Sequence, residues 1–210
     1  MSVANLQSFT AWIADYASVV SEQADYLTDL DRAIGDADHG SNMKRGMVKA
    51  AELAEAEEFT TIDGYLKKVG MSLVSTVGGA SGPLYGTFFL RLAGAFTDVE
   101  EAGPAQVAAG LRAGVEGILA RGKAEAGDKT MYDAWAPALQ AFDSAVASGS
   151  DLADALTAAA EAAAAGRDAT KDLVARKGRA SYLGERSRGH LDPGATSSVL
   201  LLESAARTLA

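Results

Sequence analysis

The run Asp31-Arg32-Ala33-Ile34-Gly35-Asp36-Ala37-Asp38-His39-Gly40-Ser41-Asn42 separates one helical pattern from the next, and its reading decides both the fold and the site. Asp36 and Asp38 alternate around one small residue. In an extended loop alternate side chains point the same way, so both carboxylates face one cation, with Asp31 approaching from the end of the preceding helix. Carboxylates a few ångströms apart repel unless a metal or protons neutralise them. Oxygen donors without cysteine suit magnesium or calcium rather than zinc. Calcium fails a direct check: an EF-hand loop from Asp36 needs glycine and glutamate where Ser41 and Met47 stand. Gly40-Ser41-Asn42 opens a new helical pattern, whose free N–H groups attract anions. Magnesium and phosphate are therefore expected to share this corner. The bland alternative is that the aspartates cap a helix and fill a turn.

Outward from this run the chain reads as helix. Alanine and leucine dominate, and only four prolines interrupt. The spacing of Leu6, Phe9, Ile13, Tyr16 and Val20 predicts a first helix over Val3–Asp29. Further helices are expected over Ser41–Glu57, from Thr60 or Thr61 to Val77, and over Leu84–Phe96, Pro104–Leu119, Thr130–Val146, Leu152–Val174 and Ala195–Leu209. The fold class expected is all-α: eight helices running up and down in a bundle, with no convincing strand. In such an up-and-down array alternate connections emerge at one end. The loops at 30–42, 78–83, 122–130 and 178–194 follow helices one, three, five and seven, and so share one rim. These loops carry the glycine pairs and the charges. The 176–188 run, with Arg176, Lys177, Arg179, Arg186 and Arg188 around Tyr182, reads as a phosphate- or partner-facing lid.

Two nucleotide motifs are excluded. Gly78-Gly79-Ala80-Ser81-Gly82-Pro83 has neither the preceding strand nor the glycine spacing of a dinucleotide fingerprint. Gly122 to Thr130 has Asp128 where a Walker loop needs lysine. At 210 residues the chain is expected to form a single domain, residues 1–210. A net charge of −9 argues against a nucleic-acid partner, and the absence of cysteine excludes disulfides, thiolate metal sites and cysteine nucleophiles. Neither a signal-like segment nor a bilayer-spanning apolar run is visible, so no membrane association and a cytoplasmic location are expected.

Taken together, Gly35 to Met43, Gly78 to Pro83, Gly127-Asp128-Lys129-Thr130-Met131, Gly178 to Arg186 and Asp192-Pro193-Gly194-Ala195 closely resemble the nucleotide-binding L subunits of dihydroxyacetone kinases. The resemblance covers essentially the whole chain, in order and spacing. It implies an eight-helix barrel with a nucleotide, ADP or ATP, at one rim. Asp31, Asp36 and Asp38 would hold magnesium, two ions in all, and act with Arg179 as the catalytic set. His39, Gly40, Ser41 and Asn42 would meet the nucleotide, and Gly79, Ala80 and Ser81 would cradle phosphate. Gly122, Thr130, Met131, Arg179, Asp192, Pro193 and Gly194 would enclose base and sugar.

The resemblance also implies partners. Without a fused substrate domain in the sequence, the chain is similar to the phosphotransferase-system-dependent type. There ADP stays bound, receives a phosphoryl group from a phosphohistidine-carrying M subunit and passes it to dihydroxyacetone on a K subunit. Other readings stand beside this one: exchangeable ATP as in single-chain kinases, a related small ketose as substrate, and a regulator partner that reports nucleotide state. Phosphorylation of His39 itself is disfavoured, since a histidine beside three carboxylates is better placed to hydrogen-bond. Monomer and homodimer are both compatible with the sequence, as are a packed barrel interior and one holding an apolar ligand.

Overall fold

The computed structural model describes residues 2–210. Ten α-helices appear among them: α1 (Leu6–Glu22), α2 (Ala24–Ile34), α3 (His39–Ala51), α4 (Leu53–Ala56), α5 (Ile62–Thr76), α6 (Ser81–Ala93), α7 (Pro104–Gly122), α8 (Tyr132–Ala147), α9 (Leu152–Ala169) and α10 (Pro193–Thr208). Their starts arise from local chemistry. Asn5 and Ser8 form a reciprocal capping box on α1, while Thr61, Asp151 and Asp192 each accept a backbone N–H of the following turn. Pro104 and Pro193 sit in first turns, where their missing N–H costs nothing.

Two expected helices are each divided. The first breaks at Gln23 (φ −93°, ψ 7°), yet the Gln23 N–H still donates to Val19 O and its carbonyl still accepts from Leu27. The chain bends there rather than stopping. No glycine or proline marks the bend, which turns α2 so that Leu27, Asp31 and Ile34 are buried. The second gives way near Glu52, and α4 is a single turn with no buried residue. The expectation of no strand is also corrected. Ala4–Asn5 pairs antiparallel with Glu101–Ala102, satisfying backbone groups just before α1 and α7.

Eight of the helices close a ring. In order α1, α3, α5, α6, α7, α8, α9 and α10 each pack on the next, and α10 returns to α1. α2 lies beside the ring against α3 and α10. The seam between first and last helices is hydrogen-bonded as well as packed: Trp12 Nε1 donates to Leu201 O at 2.9 Å, and Tyr16 Oη to Ser197 O at 3.0 Å. The interior is filled with aromatic side chains. Phe9 meets Phe96 edge-on at 4.9 Å between centroids, and Phe88 lies 4.9 Å from Trp135. Such pairs add about 0.5–1.5 kcal/mol each beyond the area they bury.

α8 contains Pro137. A proline cannot donate to the carbonyl four residues back, which leaves Asp133 O without that partner. α9 comes in against this carbonyl, where Gly166 presents no side chain: a Cβ there would lie 2.2 Å from Asp133 O. No described helix is long and apolar enough to cross a membrane.

Candidate functional site

The connections α2–α3, α5–α6, α7–α8 and α9–α10 meet at one end of the ring around a cavity of about 320 Å³. Its wall takes residues from all four, as the alternation of loops requires. From the expected set it brings together Asp31, Asp36, Asp38, His39, Gly79, Ala80, Ser81, Gly122, Thr130, Met131, Arg179, Asp192, Pro193 and Gly194.

Asp31 is buried at the end of α2, Asp38 half-buried and Asp36 exposed, and one carboxylate oxygen from each lies within 4.8 Å of the others. The loop reaches this arrangement by a route different from the extended one expected. Ala37 has φ +61°, so the chain turns through the left-handed region between the two aspartates. Asp31 Oδ2 accepts the N–H groups of Asp38 at 2.8 Å and His39 at 3.1 Å, which ties the loop back to the helix before it. Gly35 makes this possible: a Cβ at that position would lie 1.9 Å from Asp31 Oδ1. Three carboxylates converging with no nitrogen or sulfur donor match a hard divalent cation. Arg179 Nε reaches Asp36 Oδ2 at 2.8 Å from across the cavity.

His39 is buried at the N-terminus of α3. Its Nδ1 is 3.1 Å from Ser81 Oγ and its Nε2 2.9 Å from Ser197 Oγ. Burial lowers its pKa to about 4, against the pull of Asp31 and Asp38, so the ring is neutral at neutral pH. Asp192 is pushed the other way, up to about 7, chiefly by burial; the Ala195 N–H and Lys129 oppose the shift, and Asp133 and Asp31 add to it.

Gly40, Ser41 and Asn42 do not line the cavity. Gly40 is where α3 meets α2, with a Cβ position 1.9 Å from Ala24 O. Ser41 is exposed and donates to Asp38 O. Asn42 lies under the glycine turn, accepting from Arg45 at 2.6 Å, while Arg45 Nε holds Thr76 O at the end of α5.

Several lining residues gave no signal in the sequence. Leu84, Tyr85 and Ile118 form an apolar side of the cavity, but they belong to helical stripes that look like any core face. Lys129 lay in plain view inside the Gly127–Met131 motif. It is 1% exposed, with φ +62°, and its Nζ donates to the carbonyls of Thr170 and His190. One lysine thus ties down both ends of the segment connecting α9 to α10. The turn bearing it is pinned in its own right, since the Asp133 carboxylate accepts the N–H groups of Gly127 at 2.5 Å and Thr130 at 2.8 Å. Within the connecting segment, Ala175 and Ala180 pack on Ile34, placing Lys177 and Arg179 at the cavity. Arg186 and Arg188 stay outside its lining, and Tyr182 is 87% exposed.

Residues 33–207 match the DAK2 domain family. The chain is 45% identical over 192 residues to the ADP-binding subunit DhaL of the PEP-dependent dihydroxyacetone kinase of Escherichia coli (strain K12), covering 91% of each. It is 42% identical over 193 residues to the ADP-binding subunit DhaL of the PTS-dependent dihydroxyacetone kinase of Lactococcus lactis subsp. lactis (strain IL1403), covering 92% of each. Its structure is similar to that of the C. freundii dihydroxyacetone kinase in complex with AMP-PNP and Mg2+, with TM-score 0.73 and 25% identity over 99% of this chain. The chain spans about a third, 34%, of that solved enzyme's length.

Proposed function

The chain belongs to the DAK2 domain family, and from that premise we propose that it is the ADP-binding subunit of a PEP-dependent dihydroxyacetone kinase. The observation that carries the reading is the convergence of Asp31, Asp36 and Asp38 beside a glycine-rich turn, with Arg179 facing them across one cavity. Phosphoryl transfer asks little covalent chemistry of a protein and much positioning and charge neutralisation, which is what this wall offers.

In this reading the three aspartates hold magnesium, two ions in all. Bound magnesium supplies neutralisation of the phosphate oxygens. The backbone at Gly79 and Ala80 and the Ser81 hydroxyl cradle phosphate at the start of α6, where a helix has no intrahelical partners for its first N–H groups. Gly122, Thr130, Met131 and the Asp192–Gly194 turn enclose base and sugar, against the apolar side formed by Leu84, Tyr85 and Ile118. His39 hydrogen-bonds at the site, its ring nitrogens both engaged. Arg179 sets a positive charge beside the transferring group. The phosphoryl donor is a phosphohistidine-carrying M subunit, and dihydroxyacetone is held by a K subunit that docks at the rim. The nucleotide is a resident coenzyme, and the place of action is the cytoplasm.

The test is to purify the protein without added nucleotide, denature it and identify what is released, with and without prior dialysis against a magnesium chelator. Near-stoichiometric ADP that survives gel filtration and leaves only with chelator supports the resident-coenzyme reading. A protein that exchanges ATP freely shifts the assignment to an ATP-dependent kinase. A protein that binds neither nucleotide in the presence of magnesium overturns it.

A further inference from the structure

Beneath the cavity a chain of hydrogen bonds runs from Ser81 through His39 and Ser197 to Tyr85 and Ser198, and one arrangement of its protons gives every member a partner in line with the distances. The outer members are settled first. Tyr16 Oη donates to Ser197 O, and Ser198 Oγ to Gly194 O at 2.9 Å. The 2.7 Å contact between Tyr85 Oη and Ser197 Oγ is compatible with either hydroxyl as donor; in this arrangement the single Tyr85 proton lies on this contact, since Ser198 Oγ is farther away at 3.2 Å. Ser197 Oγ then has one proton and two acceptors in reach, His39 Nε2 at 2.9 Å and Gly194 O at 3.1 Å. Gly194 O already takes the Ser198 hydroxyl, and the ring nitrogen is nearer. The Ser197 proton therefore belongs on Nε2, which leaves the ring proton on Nδ1. Nδ1 donates to Ser81 Oγ, and the Ser81 proton is left free on the side that lines the cavity.

We propose that Tyr85 and Ser197 are positioning residues which fix His39 as its Nδ1–H tautomer, so that Ser81 presents a proton rather than a lone pair to an anionic ligand. The opposite arrangement makes the contrast plain. With the Ser197 proton turned to Gly194 O, the ring would donate from Nε2 and take the Ser81 proton on Nδ1. Ser81 would then face the cavity with lone pairs only, which repel phosphate oxygens. Neither positioning group needs to touch the ligand through its hydroxyl. Ser197 is fully buried and the Tyr85 hydroxyl points away to α10, although the Tyr85 ring contributes to the wall. The consequence for binding rests on the nucleotide reading; the tautomer itself does not.

The experiment is a long-range 1H–15N correlation spectrum of the uniformly 15N-labelled protein, in which bare and protonated ring nitrogens resonate far apart. The chain has two histidines, so a His190→Gln variant assigns the His39 signals. A bare Nε2 with a protonated Nδ1 is expected. A protonated Nε2, alone or together with Nδ1, overturns the proposal, and this spectrum needs no substitution at the network. Tyr85→Phe keeps the ring and removes the proton donated to Ser197. It is expected to shift His39 towards the Nε2–H form and to weaken Mg·ADP binding, measured by calorimetry, about three- to tenfold. A tautomer unchanged in Tyr85→Phe, or one that shifts with affinity intact, overturns the proposal. A wild-type protein with the expected tautomer that fails to bind Mg·ADP upholds the assignment of protons and sinks the nucleotide reading instead.

Discussion

A methyl group on Gly35 would fall 1.9 Å from Asp31 Oδ1, closer than any non-bonded contact. Gly35→Ala is therefore expected to push Asp31 out of line with Asp36 and Asp38 and to weaken Mg2+ binding by about tenfold or more, read by calorimetry, while helical circular dichroism holds. Asp36→Asn removes one proposed magnesium ligand without crowding. It is expected to abolish phosphoryl transfer with the same circular dichroism; wild-type turnover would refute the metal role. Asp192 gives a pH signature. Its folded pKa is raised to about 7, above the 3.8 of a free aspartate, so the fold favours its protonated form. That contribution is complete below the unfolded value and is lost as pH rises through the folded one. Asp192→Asn keeps a capping side chain for α10. In metal-free buffer the melting temperature of the wild type, relative to this variant, should fall between pH 4 and pH 7; a constant difference would refute the shift. At this scale the sequence showed the charges well, because aspartates at close spacing are conspicuous. It concealed the devices that aim them. Gly35 is one glycine among 22, and nothing about Ala37 announces a left-handed residue.

Helix starts were legible where the chain carries its own punctuation, as at Thr61, whose side chain caps α5; at Asp192 the cap went unread, and α10 begins at Pro193 rather than Ala195. They were illegible at Gln23, where the bend comes from α2 seeking its own buried face with no breaker residue to mark it. The apolar side of the cavity was hidden for a related reason: Tyr85 and Ile118 continue the same stripes as Phe88, Phe89 and Val115, so periodicity cannot tell a wall from a core. The α8–α9 contact links helix packing to the site. Gly166→Ala would press on Asp133 O, and the side chain of the same Asp133 holds Gly127 and Thr130. Overpacking of this kind costs about 1–3 kcal/mol. Gly166→Ala should lower the urea midpoint by an amount of that order and also weaken Mg·ADP binding, whereas Gly149→Ala, set in open space at the other end of α8, should leave binding unchanged.

The molecule as a whole is a closed ring, and closure depends on contacts between its most distant segments. Trp12 and Leu201 stand 189 residues apart in sequence, and their hydrogen bond lies at the seam. Trp12→Phe is expected to destabilise the protein by about 1–3 kcal/mol through the unpaired carbonyl and the space left behind, measured by chemical denaturation. Counting made the shared rim legible, since eight helices running up and down put every second loop at the same end; the closure of the ring was implied only by the resemblance. The inner aromatic packing was not legible, since no spacing rule says that Phe9 will find Phe96 or that Phe88 will find Trp135. The same alternation leaves the other connections, such as 148–151 between α8 and α9, with no share in the cavity wall. Gly149 in that turn has φ +84° and open space about its Cα. The barrel thus has a working mouth and a blunt base, and the base is a handle. A fluorophore, an affinity peptide or a surface tether spliced in at Gly149 would hold the protein by the end away from the cavity, with the mouth turned outward, free to meet whatever docks there.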